Sequence, residues 1–109
     1  MIATALVLLT LTAGPARVQV AADEFGYALS RPSIKTGPAI VQLANFGEDE
    51  HDLRLQRIGG TRVYRIATVP PGGVGELEAR FLPGRFRLWC SLADHRVRGM
   101  RATLLVKKA

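Results

Sequence analysis

Four residues of this 109-residue chain form a set able to bind a soft metal ion: His51, Cys90, His95 and Met100. They comprise both histidines, the only cysteine and one of two methionines, the other being Met1. The last three are spaced Cys-x4-His-x4-Met. One thiolate and two imidazoles in a trigonal set, with a weak axial thioether, make up a copper site that passes single electrons. The sulfur donors favour Cu(I), and the imidazoles suit both oxidation states. A site that fully suits neither state, and moves little between them, keeps the reorganisation cost small. Zinc also accepts Cys and His, but its structural sites take four strong ligands and Met is a poor one. A hydrolytic zinc site needs an open position and a general base, and the sequence specifies neither. Taken singly, each residue has an ordinary account: His51 as a loop histidine, Cys90 as a small buried residue, Met100 as a core filler. Their order and spacing together make metal binding the better reading.

The elements that would position these ligands are extended. Apolar and polar residues alternate in short runs broken by turn residues, and no window keeps a helical period. The pattern predicts strands over residues 17–25, 39–45, 52–58, 61–69, 76–81, 85–90 and 100–107, with a broken strand over 27–36. Gly37-Pro38, Gly59-Gly60 and Pro70-Pro71-Gly72-Gly73 mark breaks. Leu82-Pro83-Gly84-Arg85 reads as a tight turn between neighbouring antiparallel strands. Seven or eight strands punctuated in this way predict an all-β, Greek-key antiparallel β-sandwich. Parity then becomes chemical. Phe86, Leu88 and Cys90 share the inward face of one strand, and Met100, Ala102, Leu104 and Val106 share that of the next. If those strands pair, the loop of residues 91–99 folds over one end of the sandwich and turns His95 back toward the thiol. His51 stands at a loop–strand junction able to lie at the same end.

Residues 1–16 carry no charged side chain, and their first thirteen are dominated by Leu, Val, Ile and Ala. The run is shorter than the ~20 apolar residues a spanning helix needs. It fits a secretory signal, with Ala13-Gly14-Pro15-Ala16 supplying small residues for cleavage. The expectation is therefore an exported protein: residues 1–16 as signal segment and 17–109 as one domain, placed in the periplasm, in the medium or at the outer face of the membrane. Membrane contact is expected only through the N-terminal segment. A lone cysteine fits this compartment only if it is buried, reactive or metal-bound, since it has no intramolecular disulfide partner. The formal net charge of +6 favours anionic partners. The basic residues are not massed in one run and the aromatics sit at core-like positions, which argues against a nucleic-acid platform.

The segments NFGEDEHDL, PPGG, LPGRFRLWCSLADHRVRGM and ATLLV together resemble the cupredoxin family of plastocyanin- and azurin-like type 1 (blue) copper proteins. The resemblance implies a Greek-key sandwich with one copper ion near one pole, cycling between Cu(I) and Cu(II). It also implies that His51, Cys90, His95 and Met100 are the ligands. Two features depart from the family. Asp52 stands where many members carry Asn; its carboxylate could accept from the Ser91 hydroxyl or a backbone N–H, and its charge would lower the reduction potential. The Cys–Met loop is longer than in plastocyanin-like members and carries Arg96 and Arg98, with Arg101 just beyond it. These arginines are either a solvated rim or a means of steering an acidic redox partner. The expected function is a monomeric, non-enzymatic electron carrier between redox proteins. The alternative is a copper-binding or chaperone protein of the periplasm or cell surface using the same ligands. A copper oxidase or nitrite reductase ranks last, because two histidines cannot furnish its additional copper sites.

Overall fold

Alternation with a period of two sets apolar side chains on one face of an extended chain, and strands form where the sequence alternates. The computed structural model describes residues 3–5 and 14–109. The described strands are β1 (Ala16–Asp23), β2 (Gly26–Leu29), β3 (Ser33–Lys35), β4 (Gly37–Asn45), β5 (His51–Arg57), β6 (Val63–Val69), β7 (Val74–Phe81), β8 (Gly84–Trp89) and β9 (Arg101–Lys107). One helical turn, α1 (His95–Arg98), interrupts the loop before β9.

The strands form two sheets, ordered β2-β1-β4-β7 and β3-β9-β8-β5-β6. Their facing sides meet in one core. Val18, Val20, Val41 and Leu43 come from the first sheet; Leu53, Leu55, Phe86, Leu88, Leu104 and Val106 come from the second. Every second residue of β8 and β9 faces this core, as the parity argument requires. β1 pairs with β4 and β3 with β9 in parallel, while the other described pairings are antiparallel. Parallel neighbours need a crossover rather than a tight hairpin. That is why the chain repeatedly changes sheets.

Two expectations need correction. Residues 82–83 do not join hydrogen-bonded neighbours, because β7 lies in the first sheet and β8 in the second. The Pro-Gly turn carries the chain across the sandwich. Residues 91–99 are not wholly irregular, since α1 turns within them. No helix among the described residues is long and apolar enough to cross a membrane. The export reading of residues 1–16 rests mainly on residues 1–2 and 6–13, which lie outside the described residues.

Candidate metal centre

At one pole of the sandwich, β4 ends, β5 begins and β8 hands over to β9. The β8–β9 ladder continues one step past the strand ends, where the Cys90 N–H donates to the Met100 carbonyl at 3.1 Å. Residues 91–99 thus leave and re-enter the sheet at a single rung. Within this loop the His95 N–H donates to Leu92 O (3.1 Å) and the Met100 N–H to His95 O (3.0 Å), which turns the His95 ring inward. Gly99 closes the turn at φ 125°, a left-handed conformation that glycine adopts without strain. A Cβ there would also lie 3.0 Å from the Phe25 carbonyl oxygen.

His51 opens β5, paired with Val69 of β6. Between that pair and the next, Leu53↔Ile66, β5 advances two residues and β6 three. Such an irregularity twists the strand and re-aims side chains. It accompanies a break in parity: His51, Asp52 and Leu53 are all buried in succession.

Sequence reasoning singled out four candidate ligands, and the donor atoms of His51, Cys90 and His95 meet. One donor atom from each of His51, Cys90 and His95 lies within 4.8 Å of the other two, and all three residues are buried. Cys90 Sγ stands 3.5 Å from His95 Nδ1. The imidazole centroids are 5.0 Å apart. His51 and Cys90 are 0% exposed and His95 8%. Met100 is also 0% exposed and belongs to the same core cluster; its backbone bonds to both Cys90 and His95.

The donors fit a metal by one clear sign. His51 Nδ1 is buried and has no hydrogen-bond partner among the described residues. An unmet buried acceptor or donor is costly, and a bound ion would relieve it. The opposite nitrogen, Nε2, lies 3.1 Å from Glu24 Oε1. Burial, ahead of every other influence, pushes the Cys90 thiol above its ordinary range. A metal held there would have to displace the thiol proton.

The surrounding shell is hydrogen-bonded. Asp52 Oδ1 accepts the Ser91 N–H at 2.7 Å, and Oδ2 accepts the Ser91 hydroxyl. Asp52 thereby links the two ligand-bearing segments, as its position suggested. Its own carbonyl accepts from the Tyr27 hydroxyl, and burial drives that phenol's pKa far above the ordinary value. Asn45 holds the β4–β5 loop by donating to Asp49 O (2.8 Å) and Val69 O (3.0 Å), while its Oδ1 accepts the Gly47 N–H (2.9 Å). Asp49 Oδ2 approaches His95 Nε2 at 3.7 Å. Trp89 packs under the loop, with the Arg96 guanidinium 4.8 Å from its ring centroid. Arg98 lies over Phe25 at 4.8 Å and pairs with Asp94 at 2.8 Å.

Sequence reasoning missed Glu24, Phe25 and Tyr27, which reach the centre from the β1–β2 connection and β2. The Phe25 ring lies 4.9 Å from that of His95. Glu24 Oε1 also accepts the backbone N–H groups of Glu48 (2.8 Å) and Asp49 (2.6 Å). The Asp49 N–H is the chief influence holding the Glu24 carboxyl below the usual range. Local pattern carries no sign of these contacts, which span more than twenty residues of chain.

No family model matches the sequence, and no curated protein matches it. Solved structures do match. The chain is similar to dithionite-reduced auracyanin from the photosynthetic bacterium Roseiflexus castenholzii, with TM-score 0.69 and 16% identity over 86% of this chain and 99% of that one. Auracyanin A from Chloroflexus aurantiacus, described as a "blue" copper protein, matches with TM-score 0.68 and 10% identity over 86% of this chain and 100% of its own. Amicyanin from Paracoccus versutus matches with TM-score 0.60 and 17% identity over 89% and 85% of the two chains. In architecture, then, the chain has the cupredoxin fold.

Proposed function

We propose that this chain is a one-electron carrier working outside the cytoplasm, holding one copper ion between His51, Cys90 and His95 with Met100 as a weak fourth ligand. The observation that carries this reading is the convergence of one thiol and two imidazoles, with donor atoms within 4.8 Å of one another, in a buried setting. The shared fold with auracyanin A, itself described as a blue copper protein, supports it. Support for Met100 comes from its full burial and from its backbone bonds to Cys90 and His95.

Copper bound there would supply a Cu(I)/Cu(II) couple. The chain's own residues do the rest. Cys90 would bind as a thiolate once its proton is lost, and His51 would offer the nitrogen that has no other partner among the described residues. Full burial of His51, Cys90 and Met100 keeps water from the donors. His95 is the ligand nearest solvent, so a partner approaches most directly there. The same burial favours a carrier over a copper-delivery protein, which must open its ligands to an acceptor. Arg96 and Arg101, on the rim of this face, suit an acidic redox partner. In that case the bimolecular electron-transfer rate falls as salt rises.

The direct test adds Cu(II) to the purified protein and records its visible spectrum. An intense thiolate-to-copper band, absent from Cys90→Ser, is the expected result. A colourless protein that retains no copper would end this reading.

A further inference from the structure

Glu24 reaches into the centre from the connection between β1 and β2, and it is held there firmly. Its Oε1 lies 3.1 Å from His51 Nε2 and accepts the Glu48 and Asp49 N–H groups at 2.8 and 2.6 Å. Its side chain is 23% exposed, against 0% for the His51 ring it faces. Room for the carboxylate comes from Gly47. A Cβ at that position would lie 2.7 Å from the Glu24 carboxyl carbon, closer than real contacts allow.

Two consequences follow from this placement. A neutral imidazole carries one N–H and one lone pair, and the partner of one nitrogen fixes which is which. An acceptor at Nε2 puts the proton there and leaves the lone pair on Nδ1, the atom with no partner among the described residues. A carboxylate across the ring also makes the imidazole a stronger donor, and its negative charge favours the more highly charged state of a bound ion. We infer that Glu24 is a positioning residue for His51: it selects the tautomer whose Nδ1 is free for a metal and biases a copper couple at this centre toward Cu(II). The second half rests on the copper reading above; the first does not.

The test separates the two halves. In the metal-free protein, nitrogen-15 NMR of the neutral His51 ring should show the Nε2–H tautomer. Glu24→Gln, which keeps an acceptor oxygen, should preserve that tautomer. Gly47→Ala should lose its exclusive population while leaving Glu24 in the chain, because the added methyl displaces the carboxylate. With copper bound, Glu24→Gln should raise the reduction potential. A tenfold loss of Cu(II) affinity relative to Cu(I), at the low end for such outer partners, corresponds to about 59 mV for a one-electron couple. A mere loop clamp would leave the potential of this near-isosteric variant unmoved. An Nδ1–H tautomer in the wild type overturns the positioning role, and equal potentials in wild type and Glu24→Gln overturn the bias. A wild-type protein that takes up no copper overturns the copper reading and the bias with it, while the tautomer spectrum still decides the positioning role.

Discussion

At the end of the sandwich remote from the metal centre, Tyr64, Phe81 and Phe86 pack ring against ring, with centroids 4.9 to 6.5 Å apart. At the metal pole lie the buried polar residues Asn45, His51, Asp52 and His95. The remote end stabilises the fold by removing aromatic surface from water, the dominant favourable contribution in a small domain. The pole mixes apolar residues, Cys90, Met100 and Phe25 among them, with these polar groups. Each of its hydrogen bonds adds only ~0.5–1.5 kcal/mol net, and His51 Nδ1 has no partner among the described residues. The candidate ligands are therefore supported by a framework that extends well beyond the pole. Stability and metal chemistry are separated along the length of the strands.

Substitutions at each end test that separation. Phe86→Ala should have the largest effect on the fold, lowering stability by ~3–5 kcal/mol in urea melts, while the folded protein keeps its copper spectrum unchanged. A lost spectrum with an intact fold would show that the two ends are coupled after all. Cys90→Ser should do the reverse. It abolishes the thiolate band yet costs the metal-free fold only ~1–3 kcal/mol, the penalty of a poorly satisfied buried hydroxyl. A loss as large as that of Phe86→Ala would place the fold's foundation at the pole.

Tyr27→Phe removes one hydrogen bond to the Asp52 carbonyl and should cost ~0.5–1.5 kcal/mol. Its band should persist with a small shift. Asp94→Asn, in the exposed loop, should change stability least. The Arg98 side chain holds the Asp94 carboxyl below its ordinary range. Any stability it adds is thus present above the unfolded-state value and is lost as pH falls through the lower folded value. Acid titrations of wild type and Asp94→Asn should therefore converge at low pH. A gap that widens there would contradict the pairing.

The convergence of His51, Cys90 and His95 was legible because parity is a local property. Cys90 continues the inward face of Phe86 and Leu88, and Met100 begins that of Leu104 and Val106. The loop between them had to turn His95 over the sheet end. Asp52 was legible for a different reason: the family resemblance implies a linking side chain just after His51, and a carboxylate there can accept from Ser91. Glu24 was not: as the residue after Asp23 it reads as the tail of a strand, and its role depends on a fold that brings residues 47–51 against it. The Leu82–Pro83 turn misled for a complementary reason. Pro-Gly chemistry bends the chain in the same way whether the next strand pairs with the last or crosses to the other sheet. Only the sheet order decides between them, and that order depends on all the strands at once. The helical turn at His95–Arg98 is too short to leave a periodic trace.

The parallel pairing of β1 with β4 has a directional consequence. Ala16 lies opposite Ala39, whereas Ala22 lies opposite Asn45 at the pole that houses His51. The two ends of that ladder are about 20 Å apart. β9 runs away from Met100, so Lys107 also points to the remote end. Chain that precedes β1 or follows β9 therefore departs on the far side from His95. A leash attached at either terminus would leave the His95 face turned outward, free to meet a diffusing protein.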